Sequence, residues 1–234
     1  MPLAAIDRMS ITAFAGALLI SSAINVPDMP VTVSDVTTGA SSHVRVTNTA
    51  SQPVTAWSLA VTSEKPGGGL HREVYTTEGY LSEVTHGLPR AAERLERLMP
   101  NESRELPLDP LPEGAKAQVI AAVMNDGTAI GEEAAIASIF ANRVKERDAL
   151  KAVVDAFGDV LRTKHGVEAL SALKDRFTAL VEHDDTVPCH AALDAVQAYG
   201  KKGEGEHIDE SLRTYADFVN KEYALAVKHS QRKN

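Results

Sequence analysis

The hydrophobic period changes near residue 131, and that change decides what this chain can fold into. From Val31 the apolar residues recur at every second position; after Gly131 they recur every three or four. A period of two belongs to half-buried strands and a period of 3.6 to amphipathic helices. Strands first and helices second read as α+β rather than as alternating α/β. The expected layout has three parts. Residues 1–30 form an N-terminal segment with a short linker, and 31–131 form an antiparallel β-sandwich of six or seven strands with a helical insertion at 81–99. Residues 132–234 form an α-helical region of four or five helices packed on it.

The first strands are Val31–Val36 and His43–Asn48, with Val44 and Val46 on one face. Val54–Ser63 sets Thr55, Trp57, Leu59 and Val61 on one face and Ala56, Ser58 and Ala60 on the other. Trp57 therefore reads as a core residue. His71–Thr77 is a fourth strand, Glu102–Leu106 a weaker fifth and Lys116–Met124 a sixth, with polar turns between them. In the sixth, Val119, Ala121 and Val123 point one way and Ile120, Ala122 and Met124 the other, so both faces are apolar. A strand of that kind is covered on both sides, here by the downstream helices. Pro89–Met99 reads as a helix begun by a proline in its first turn and stopped by Pro100.

At Val44–Asn48 and Gln52–Val61 the chain resembles the immunoglobulin-like modules of bacterial extracytoplasmic proteins. A strand ending in Asn, a proline turn and a strand with a single Trp carry the likeness, which spans Val31–Gly131. The resemblance implies adhesion, scaffold or carrier roles and no catalytic residues. The paired cysteines of antibody-type domains are missing, because Cys189 is the only cysteine.

After Gly131, Ile136, Ile139, Phe140 and Val144 start a stripe that Leu150, Val153, Val154, Phe157, Val160 and Leu161 continue. This is one long helix, or two with a kink near Asp148, stopped by Gly166. Further helices run from about Val167 to Glu182 and from Pro188 to Gly200. After a flexible Lys201–Gly205 loop comes a last helix striped by Ile208, Leu212, Tyr215, Val219 and Tyr223. Its end carries Lys228, His229, Arg232 and Lys233, which complement the helix dipole and read as a solvated terminus.

The N-terminal segment supplies the expectation about location. Arg8 precedes the apolar run Ile11–Ile20, and Ser21-Ser22-Ala23 offers a small-residue cleavage site. This is the pattern of a secretory signal peptide cut after Ala23, although Asp7 offsets the charge of Arg8. Two other readings stay open: an uncleaved membrane anchor, since Met9–Pro27 has no charged residue, and a buried helix of a cytosolic protein. Composition excludes a further class. The net charge is −8, neither Val31–Gly131 (net −4) nor Glu132–Asn234 (net −3) is basic, and aromatics are only 5%, so nucleic acid is not an expected partner.

The densest polar cluster is His183-Asp184-Asp185-Thr186-Val187-Pro188-Cys189-His190. Imidazole and carboxylate groups suit zinc and other divalent ions, so His183, Asp184, Asp185 and His190 are the candidate metal ligands. No HExxH or CxxC accompanies them. Each residue also has an ordinary structural reading: His183 ends one helix, Thr186 caps the next and Cys189 is buried. The glycine-rich Lys65–Leu70 lacks the lysine and helix of a phosphate loop and reads as a hairpin turn.

The leading expectation is a non-catalytic extracytoplasmic module, periplasmic or secreted, that binds or supports a protein or envelope component. It has no cofactor, and touches membrane only through an uncleaved N-terminus. A metal-assisted hydrolase using the His183 cluster is the first alternative. A cytosolic structural or regulatory protein is the second.

Overall fold

The computed structural model describes residues 29–65, 67–85, 97–183, 186–202 and 207–233. They divide into two compact units. One holds the described residues up to Ile139 together with Arg232 and Lys233; the other is Phe140–Gln231. Residues 1–28 of the expected N-terminal segment, residues 89–96 of the expected Pro89–Met99 helix, Asp184, Asp185 and residues 203–206 lie outside the described residues.

In chain order the first unit contains β1 (Val31–Thr37), β2 (His43–Asn48), β3 (Val54–Glu64), β4 (Leu70–Glu78) and the single turn α1 (Ser82–Thr85). Then come β5 (Ser103–Pro107), β6 (Lys116–Met124) and β7 (Ala129–Gly131). All pairings are antiparallel. One sheet has the order β1-β2-β5 and the other β4-β3-β6-β7. Val31, Val44 and Val46 of the three-stranded sheet share one hydrophobic cluster with Trp57, Leu59, Val61, Tyr75 and Val119 of the four-stranded sheet. Asn48 ends β2 fully buried, and its amide is used completely. Nδ2 donates to the carbonyls of Gln52 and Leu98, and Oδ1 accepts from the Ala50 backbone. A buried amide satisfied in this way fixes the turn into β3. Leu98, expected near the end of a helix, instead makes a two-hydrogen-bond bridge with Val54.

Strict alternation fails at two places, for one reason. The β3–β6 register slips at Thr55 on β3 and at Ile120 on β6, each an extra residue in one strand. A bulge reverses which face the following side chains occupy. Val54 therefore joins Trp57, Leu59 and Val61 in the shared cluster, while Thr55 leaves it and donates its hydroxyl to the carbonyls of Val123 and Met124. On β6, Val119 turns inward with Ala122 and Met124 rather than with Ala121 and Val123. As the sequence predicts, β6 is buried on both faces from Val119 to Met124.

The second bulge also explains a glycine. The Ile120 carbonyl accepts the Glu132 backbone N–H at 2.7 Å, and Gly131 passes beside it with φ +129°. A Cβ on Gly131 would lie 2.1 Å from that oxygen. Only glycine combines this conformation with this approach.

Four long helices follow: α2 (Glu133–Leu161), α3 (Gly166–His183), α4 (Val187–Lys202) and α5 (Ile208–His229). α2 is a single 29-residue helix with no break at Asp148, and its first residues belong to the β-rich unit. Within the helical unit, Phe157 packs on Phe177 and Tyr215, with ring centroids 5.1 and 5.8 Å apart. Two glycines read as stops have other roles. Gly166 opens α3 with φ +53°, and its N–H donates to Asp209. Gly200 lies inside α4, and a Cβ there would meet Leu170 of α3 at 3.2 Å, so its lack of a side chain permits close helix packing.

The C-terminal tail is exposed at Arg232 and Lys233, as expected, but it is also tied down. The Lys233 N–H donates to Gly127, forming a parallel bridge with Thr128, and the Arg232 guanidinium bonds both oxygens of Glu133.

Candidate functional site

The sequence cluster separates into parts with different surroundings. His183 is the last residue of α3 and is exposed; His190 lies in the first turn of α4 and is exposed. Asp184 and Asp185 lie outside the described residues. Cys189, next to His190 in sequence, is buried and forms no disulfide. Thr186 accepts the His190 N–H on its backbone carbonyl, as an N-cap residue does, but its buried hydroxyl makes no hydrogen bond among the described residues. Among the described residues, no three His, Cys, Asp or Glu side chains come together as a metal-binding group.

His183 does take part in a groove of about 320 Å³ between α2 and α3. Ala152, Asp155, Ala156 and Asp159 line one side, with Arg176, Ala179, Leu180 and His183 on the other. Both sets follow the i, i+3, i+4, i+7 spacing of one helix face. The floor is alanine and leucine. The carboxylates at the rim already have cations: Lys151 holds Asp155 at 2.6 Å, and Arg176 and Arg162 reach Asp159 at 3.2 and 3.4 Å. Small side chains and neutralised acids suit an apolar group better than a metal ion.

A second polar arrangement lies on β4. Tyr75 donates its hydroxyl to one Glu73 oxygen at 2.5 Å, and the His71 imidazole contacts the other at 2.8 Å. The three alternate along the strand and share one face. Tyr75 is buried in the shared core, whereas His71 and Glu73 are partly exposed. The Tyr75 hydrogen bond, then that of His71, holds the Glu73 carboxyl below the usual carboxylate range. Burial, then the Glu73 hydrogen bond, pushes the Tyr75 hydroxyl above the ordinary phenol range. The row is a hydrogen-bonded polar margin to the core in which the Tyr75 hydroxyl is the donor.

Two tight turns of the β-rich unit are polar as well. Lys65 and Gly69 close the β3–β4 hairpin through the Lys65 N–H to Gly69 bond. Asp126 accepts both the N–H and the hydroxyl of Thr128, which holds its carboxyl below the usual range.

Sequence reasoning missed three buried polar side chains in the helical unit: Arg143, Glu222 and His229, each 1% exposed. Arg143 donates to the His229 carbonyl at 3.2 Å and its guanidinium lies 5.4 Å from the centre of the Phe140 ring. The signal was present as spacing. Arg143 stands seven residues before Leu150, and Glu222 and His229 continue the line through Leu212 and Val219. The buried face of α5 accordingly runs Ile208, Leu212, Ala216, Val219, Glu222, Ala226, His229, and Tyr223 lies off it.

No protein-family model matches the chain, and neither a curated protein nor a solved structure matches it.

Proposed function

We propose that this chain is a non-catalytic extracytoplasmic module that binds or supports a protein or envelope component, its β-rich unit an immunoglobulin-like sandwich. The observation that carries the reading is the hydrophobic cluster shared by the two antiparallel sheets, with Trp57 wholly buried in it. A sandwich core is formed by facing inner sides of two sheets. Asn48, the proline turn and the Trp57 strand, the residues of the resemblance, build one continuous part of that cluster and its margin. Three polar side chains of that unit are engaged in its own architecture: Asn48 in a turn, Thr55 on a bulge, Glu73 in a strand-side network. Such a unit presents surfaces rather than a reaction centre. The apolar N-terminal run with its small-residue site supports the extracytoplasmic part of this reading.

Expression in a bacterial host, followed by pull-down from the envelope fraction, tests the binding role. Recovery of a defined envelope component with the chain supports it. A purified chain that turns over ester, amide or phosphate substrates, with loss of turnover on His183→Ala, replaces it with hydrolysis.

A further inference from the structure

The four strands that end or partly end a sheet differ in how they are closed to further pairing. β1 is broken by a register slip at Ser34, β5 has only five residues and ends in Pro107, and β7 has only three. Bulges, proline and shortness are the usual protections of an edge. β4 has none of these three, although it carries charge at Arg72, Glu73 and Glu78, which is a further protection. Its nine residues pair with β3 from Ala56–Glu78 to Glu64–Leu70 without a slip, and they include no proline and no lysine. Among the described residues no strand pairs with its other side.

We propose that β4 pairs antiparallel with β4 of a second copy of this chain, about a two-fold axis at Tyr75. The register follows from charge. With the axis at Tyr75, Arg72 stands opposite Glu78 of the second copy, twice by symmetry. Glu73 stands opposite Thr77, Val74 opposite Thr76, and Tyr75 opposite its own counterpart. Opposite charges, β-branched pairs and aromatic pairs are the combinations that stabilise facing strands. An axis at Glu73 would set two carboxylates face to face. An axis at Val74 pairs Arg72 with Thr76 and leaves Glu78 opposite Leu70, with no ion pair. Arg72 holds Glu132 through Nη2 alone, at 2.9 and 2.8 Å, and its guanidinium has further donors. The self-matching contact is isologous and closes at two copies.

Sedimentation equilibrium of the full chain over a concentration series tests this. The expected result is a reversible monomer–dimer equilibrium. Arg72→Glu and Glu78→Arg should each weaken it about tenfold, and the combined reversal should restore it. Hydrogen exchange on the unmodified chain gives an independent reading: amides within Arg72–Glu78 should become more protected as concentration rises. A monomer at every concentration overturns the proposal. So does a dimer indifferent to both single reversals, or β4 amides that exchange at the same rate throughout.

Discussion

At the scale of single residues, the bulge at Ile120 makes the sharpest demand. Gly131→Ala adds a Cβ 2.1 Å from a backbone oxygen at φ +129°, so neither the side chain nor the backbone fits. The expected loss is well over about 1 kcal/mol in a chemical denaturation curve. Gly158→Ala is the contrasting case. Gly158 is exposed within α2 with open space at its Cβ, and the same substitution should stabilise by roughly 0.5–1 kcal/mol. Trp57→Ala, at a fully buried site, should cost about 3–5 kcal/mol, and an unchanged midpoint would mean the ring is not in a core. The indole Nε1 has no hydrogen-bond partner among the described residues, so Trp57→Phe should cost clearly less than Trp57→Ala. The alternation that marks Trp57, Leu59 and Val61 as core is a local property and is legible in the sequence. The bulges are not, because a slip is decided by which residues of β3 and β6 meet, and nothing local distinguishes Thr55 or Ile120.

At the scale of elements, β4 links packing to pH. The Glu73 carboxyl is held below its ordinary range by Tyr75 and His71, so the unfolded chain binds this proton more readily than the folded one. Its contribution to stability is present above the ordinary glutamate pKa and is lost as pH falls through the lowered folded value. Denaturant midpoints measured downward from neutral pH should therefore decline more steeply for the unmodified chain than for Glu73→Gln. Equal slopes would remove Glu73 from the acid response. Helix positions were readable from the 3.6 period, but their ends were less so. Gly166 and Gly200 read as stops from residue type alone, yet one opens α3 and the other makes room for Leu170. Which use a glycine serves depends on the neighbouring helix, and one segment's sequence does not contain that neighbour. The same limit hid Arg143, Glu222 and His229, since polar residues on an apolar line look like errors of phase until the packing is known.

At the scale of the whole molecule, two compact units share one chain, and the β-rich unit contains the chain's final described residues. Deleting Arg232–Asn234 removes the Glu133 ion pair and the Gly127 bridge, and should lower the melting temperature of the full chain. The division into strands and helices near residue 131 was legible because periodicity survives without tertiary knowledge. The candidate metal cluster was legible only as composition, and the described parts of it, His183 and His190, are two exposed imidazoles on different helices. Protein purified without a histidine tag should carry no stoichiometric zinc; bound zinc released by His183→Ala would favour hydrolysis instead. The extracytoplasmic reading rests on the leader, and its most direct measurement is fractionation of cells expressing the native chain with mass determination of the N-terminus. The predicted result is a periplasmic or secreted protein beginning at Ile24. A full-length chain starting at Met1 in the cytosol would contradict it.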